Sequence, residues 1–197
     1  MPQKLIIGLV GPMVSGKGTV ADYLKENYNA TVYGFSSPLR DIIKRLHLPL
    51  LRKNLANLSN CLRTQFGNDL ISCAIMADIA DDSSPLIVLD GIRRLSDIEN
   101  ASKLPGFILI KIDAKEQTRY NRLLKRSQNS DDQLKTLAAF QADEQAEADR
   151  EIPLVMTKAT LAIDNNGDFD SLYTQIDALI KPLLSNVFRH SINNPNR

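Results

Sequence analysis

The stretch GPMVSGKGTVADYL, Gly11 to Leu24, sets two glycines around four residues and follows them at once with Lys17, Gly18 and Thr19. Before it lies an unbroken apolar run, Leu5 to Val10. After it, Val20, Leu24 and Tyr28 recur at helical spacing. A buried strand, a glycine-bearing loop and a helix form the setting in which such a loop cradles phosphate. Successive backbone N–H groups turn inward around a polyphosphate, and glycine keeps side chains out of the way. The helix that opens near Lys17 aims its positive end at the same point. Lys17 is placed to reach the β- and γ-phosphates. The expected nucleotide ligands are therefore Gly11, Val14, Ser15, Gly16, Lys17, Gly18 and Thr19. The usual pattern has Ser or Thr directly after the lysine, offering a hydroxyl to Mg²⁺. Here Gly18 takes that place and Thr19 follows, so magnesium is expected at one remove, through water and the nucleotide.

Outward from this loop, strands and helices alternate. Ala30 to Phe35, Leu86 to Leu89, Phe107 to Ile112 and Thr160 to Ile163 read as further strands. Helices are expected from Pro38 to about Leu46, in one or two pieces over 54–81 with a break near Gly67 and Asn68, and over 96–103, 116–126 and 133–150. A last one is capped by Asp168 and runs to about Leu184. Apolar strands alternating with helices imply an α/β three-layer sandwich, a five-stranded parallel sheet covered by helices on both faces. Residues 1–185 read as a single domain and 186–197 as a flexible tail.

The 197 residues carry a net charge of +1, which gives no global attraction to nucleic acid or to an anionic membrane. The apolar run near the start is too short to span a bilayer and lacks a signal peptide's cleavage pattern. Cys61 and Cys73 fit neither a zinc site nor a disulfide framework. A cytoplasmic protein, monomer or homodimer, is the expectation.

The GKGT form of the loop resembles that of adenylate kinases. GKGTVADYL, with TVYGFSSPLRDIIKRL (Thr31 to Leu46), is similar to the phage-type deoxynucleoside monophosphate kinases. The resemblance is to the P-loop nucleoside monophosphate kinase group, from Lys4 to about Leu184. It implies ATP and Mg²⁺ as cofactors and a small phosphorylated acceptor, bound by a helical region over 36–80 beneath a short lid over 120–135. Arg40, in FSSPLR, matches the arginine that grips the acceptor phosphate. The aspartate of the related segments is Ser37 here, which leaves the acceptor's identity open. LIVLDGIRR (Leu86 to Arg94) is similar to the DGFPR segment. It assigns Asp90 to the magnesium's water shell, with Thr19 near the same ion, and Arg93 to the acceptor phosphate. Arg63, in CLRTQFG, is a third candidate acceptor ligand. Arg122-Leu123 and Arg126 match the lid's R-L-x-x-x-R, and Arg119 shares their helix face. The turn LAIDNNGDFDSL places main-chain atoms of Asn165 and Asn166 near the adenine.

These residues together predict phosphoryl transfer, with Lys17, Asp90, Arg122 and Arg126 as the catalytic set. A dephospho-coenzyme A kinase-like enzyme, or a P-loop ATPase or switch with no small acceptor, are the alternatives.

Overall fold

The computed structural model describes residues 4–125, 132–145 and 149–192. Five strands, β1 (Leu5–Val10), β2 (Thr31–Gly34), β3 (Leu86–Ile92), β4 (Phe107–Asp113) and β5 (Leu161–Asp164), form one parallel sheet in the order β2-β3-β1-β4-β5. The central strand, β1, is buried at every position. Its alternate residues therefore feed two separate cores, as the period of two requires. Leu5, Ile7 and Leu9 pack on one face against Val20 and Leu24 of α1 (Lys17–Tyr28) and Leu172, Ile176 and Ile180 of α9 (Phe169–Ile192). Ile6 and Val10 pack on the other against α2 (Ser37–Arg45), α4 (Leu70–Asp81), α5 (Leu95–Glu99) and α8 (Ile152–Met156). The fold is the three-layer α/β sandwich that the strand–helix alternation predicts.

The 54–81 region is two helices, α3 (Arg52–Phe66) and α4, parted where a break is expected, at Gly67 with φ 108°. Other boundaries differ from expectation. The expected single helix over 133–150 is broken. Following α6 (Glu116–Lys125), a 3₁₀ turn at Asp132–Leu134 precedes α7 (Leu137–Glu144), capped by the Thr136 hydroxyl, and α8 follows separately with Pro153 in its first turn. An Ala- and Gln-rich composition favours helix but does not say where it stops. The tail expected from residue 186 is helical as far as Ile192. β3 continues past Leu89 to Ile92, so Asp90 lies within a strand rather than beyond it. Among the described residues no helix is long and apolar enough to cross a membrane.

In a parallel sheet, ligands bind beyond the strands' carboxyl ends, where connections leave in opposite directions. Here those ends belong to β1 and its neighbour β3, which bring the loop after Val10 next to Asp90. The layer packing under that loop depends on residues such as Leu24, which is fully buried. Leu24→Ala is expected to cost about 2–5 kcal/mol, read as a lowered urea midpoint with an unchanged slope.

Candidate active site

The loop between β1 and α1 must turn its N–H groups inward, so its carbonyls face outward and need donors. Side chains from three parts of the chain supply them. Lys17 Nζ donates to the carbonyls of Gly11 (2.8 Å) and Pro12 (2.9 Å). Arg119 in α6 donates to the Met13 carbonyl at 3.1 Å. Asn165, after β5, donates through Nδ2 to the Ser15 carbonyl at 2.8 Å. Within the loop Val14 holds φ 61° and Gly16 φ 103°. The first is unusual for a β-branched residue and marks a loop held in shape by its surroundings. The second suits glycine doubly, because a Cβ there would also lie 2.1 Å from Asn165 Nδ2.

Lys17 is half-buried, and burial pushes its ammonium down to about 8. Asp90 pulls it back up, and Arg93 and Arg119 add repulsion. Among the described residues, three buried side-chain atoms have no hydrogen-bond partner: Ser15 Oγ, Asp90 Oδ1 and an Arg122 terminal nitrogen. An unpaired buried carboxylate oxygen and an unpaired buried guanidinium nitrogen are costly unless they serve a ligand. Asp90 Oδ1 fits a cation or the water around one. No cluster of three or more acids, histidines or cysteines that could hold a metal ion exists among the described residues.

A single cleft of about 1060 Å³ runs from this loop to the helices on the far side of β2. It is lined by Val14, Gly16, Lys17, Gly18, Thr19, Asp90, Arg122 and Asn165, and also by Arg40, Arg63 and Arg93, with Leu39, Leu50, Leu55, Ile71 and Ile152. Arg122 NH2 donates to Asn165 Oδ1 at 3.3 Å, which hangs the arginine over the loop. Arg40 is half-buried, bonds Ser36 Oγ at 3.3 Å and has no carboxylate partner among the described residues. Arg93 is exposed and pairs with Asp149 at 2.7 Å. The cleft thus gathers the expected residues that fall within the described chain. Gly11 and Ser15 lie beneath the loop, with Gly11 against the Ile112 carbonyl. Arg126 lies outside the described residues, as do residues 127–131 of the expected lid.

Some expectations are corrected. Arg63 is buried, and each guanidinium nitrogen has a protein partner: Ser59, the Asn68 carbonyl, Ser96, and Asp97 at 2.7 Å. Asp97 in turn accepts from the backbone N–H groups of Arg93 and Arg94. Arg63 braces the strand–helix turn that carries Arg93, and is spent as an acceptor ligand. Arg119 is likewise not a lid arginine. It is buried, gripped by Glu144, donates to the Ala114 carbonyl and lies over the Phe140 ring at 5.4 Å. Helical spacing puts Arg119 and Arg122 on one face, but their neighbours give them different work. Asn165 is buried, so its side chain acts as a strut, while Asn166 Oδ1 accepts from the Lys115 N–H at the start of α6.

Sequence reasoning passed over Asp149, Arg52 and Phe169. Arg52 donates to Asp149 at 2.6 Å and to Met13 Sδ. Phe169, at the cleft's rim, is 64% exposed. Arg52 and Asp149 stand in no glycine-bearing motif, and their meeting is set only by how α3 packs against the segment between α7 and α8.

A parallel sheet with a glycine-bearing loop and its lysine beside an aspartate of the neighbouring strand defines a P-loop protein of kinase-like fold. The AAA domain family matches residues 10–139, and the chain belongs to that family. It is 26% identical over 188 residues to the UPF0200 protein MJ1399 of Methanocaldococcus jannaschii, covering 94% of each chain. It is also 26% identical over 184 residues to a UPF0200 protein of Methanococcus vannielii, covering 92% of this chain and 98% of that one. In structure it is similar to shikimate kinase from Bacteroides thetaiotaomicron (TM-score 0.61, 15% identity, 91% of this chain and 98% of that one). It is also similar to a gluconokinase from Sinorhizobium meliloti (TM-score 0.55, 16% identity, 96% and 98%). These likenesses are of fold. They show a P-loop kinase-like fold and do not single out the nucleoside monophosphate kinase group.

Two outcomes follow from the electrostatics. Arg63→Met is expected to destabilise the fold by about 3–5 kcal/mol, because Asp97 is left buried and unpaired; a denaturation midpoint close to wild type would contradict the strut. A polyphosphate beside Lys17 raises its pKa above the unliganded value near 8. Binding of an ATP analogue should therefore take up a proton at about pH 9 and almost none at about pH 7, with affinity falling as pH rises between them. Calorimetry in buffers of different ionisation enthalpy reads this directly, and Lys17→Met should remove it.

Proposed function

We propose that this protein moves the γ-phosphoryl group of ATP onto a small phosphorylated acceptor, a nucleoside monophosphate first among them. One observation carries the reading: Lys17 and Asp90 line the same cleft as Arg40 and Arg93. Lys17 and the loop amides hold the donor phosphates. Arg40 and Arg93 grip the acceptor phosphate through planar guanidinium groups suited to paired oxygens. An acceptor phosphate oxygen is already a nucleophile at neutral pH, so no side chain has to remove a proton. It attacks the γ-phosphorus as the bond to the β–γ bridging oxygen breaks. Arg122, with an unpaired buried nitrogen over the loop, neutralises charge on the migrating group.

Asp90, with Thr19 close by, would hold magnesium that arrives with the nucleotide. When bound, the ion neutralises charge on the β- and γ-phosphate oxygens. Phe169 offers a ring at the rim for the adenine. The apolar wall of Leu39, Leu50, Leu55 and Ile71 suits the body of the acceptor. The kinase names of the structural neighbours support the same reaction class.

The test is ATP consumption with and without a panel of nucleoside monophosphates. Turnover should rise with an accepted monophosphate, vanish in Lys17→Ala, and fall about 10²–10³-fold in kcat in Arg122→Ala. Steady hydrolysis indifferent to every acceptor would favour an ATPase or switch and overturn the proposal.

A further inference from the structure

Asp149 lies between α7 and α8 and is 6% exposed. Its Oδ1 accepts from Arg93 at 2.7 Å and its Oδ2 from Arg52 at 2.6 Å. Each carboxylate oxygen takes one guanidinium, as two oxygens of a phosphate monoester would. The two arginine side chains are 45% and 38% exposed, while the aspartate side chain between them is 7% exposed. Arginines that open to solvent are under no compulsion to pair, yet both close on a carboxylate carried by a different element. Arg52 is also tied to the P-loop through Met13 Sδ at 2.9 Å and faces Asp143 at 3.9 Å. Arg52, Arg93 and Asp149 line the same cleft as Lys17.

We propose that Asp149 is a built-in competitor for the acceptor phosphate: it holds Arg52 and Arg93 as a phosphate-spaced pair, and the acceptor binds by drawing one or both guanidinium groups away from it. The inference rests on the cleft being a donor–acceptor site and adds Arg52 to the acceptor set. Two consequences follow. The carboxylate offsets part of the charge of both cations and keeps them spaced. It also sets a threshold for the incoming group, because a doubly charged phosphate can displace a bonded carboxylate where a singly charged anion cannot. Apparent affinity is reduced by the fraction of molecules in which the arginines are released.

The experiment uses the full chain saturated with a non-hydrolysable ATP analogue and magnesium, so that the P-loop is filled. Inorganic phosphate and AMP are then titrated calorimetrically. Asp149→Asn keeps the shape and removes the charge; it should tighten both probes by about tenfold, the gain expected if the arginines are released in roughly one molecule in ten. Asp149→Ser replaces it should the first variant not fold. Normal analogue binding with unchanged or weaker phosphate binding would make Asp149 a positioning residue and overturn this proposal alone. So would the failure of both probes to bind either protein. If the analogue itself does not bind, the donor reading falls and this inference falls with it.

Discussion

A loop that presents its N–H groups to an anion must dispose of its carbonyls, and the rest of this molecule is arranged around that demand. Lys17 satisfies two carbonyls from within the loop's own helix. Arg119 satisfies a third from α6, and Asn165 a fourth from beyond β5. Residues more than a hundred positions apart must therefore arrive at one place. The sheet brings them there, since β1, β4 and β5 are parallel neighbours and all their following segments leave at one edge. The same donors carry positive charge or polarity into the site that binds the anion. Support of the loop and attraction of the ligand are one arrangement rather than two.

The arginines show how context divides one residue type into different roles. Arg63 and Arg119 are buried and each closes on a single acid, so their charge is cancelled locally and their contribution is rigidity. Arg52 and Arg93 share Asp149, with Asp143 also near Arg52, and both remain open to solvent. Arg40 has no acid partner among the described residues, and Arg122 keeps a buried nitrogen without one. Along this series the positive charge available to an incoming anion rises. That order follows from burial and from the number of carboxylates within reach, neither of which is a property of arginine itself.

Much of this was legible beforehand. Leu5–Val10 reads as a buried strand because it is apolar without alternation, and both its faces are covered. The break between α3 and α4 falls at Gly67, whose positive φ excludes most other residues. The cleft residues recognised in advance, Lys17, Thr19, Asp90, Arg40, Arg93, Arg122 and Asn165, stand in or beside turn-forming glycines or match a segment of a related family. The readings that failed lack such punctuation. Residues 133–150 contain no glycine or proline to mark the end of α7, and residues 186–192, which are helical, belong to a polar, Asn-rich stretch that reads as coil.

The sequence by itself determined the sheet, the covering helices and the shape of the phosphate loop, because those depend on apolar periodicity and on backbone freedom within a few residues. Only the tertiary structure decided which charges cancel. Arg63 with Asp97, Arg119 with Glu144, and Asp149 between Arg52 and Arg93 are pairings across 25 to 97 positions. An ionic contact leaves no local pattern, because any acid brought within about 4 Å by packing will serve. The phosphate loop could be read along the chain, whereas the arginine–carboxylate pairs beside it exist only where distant helices meet.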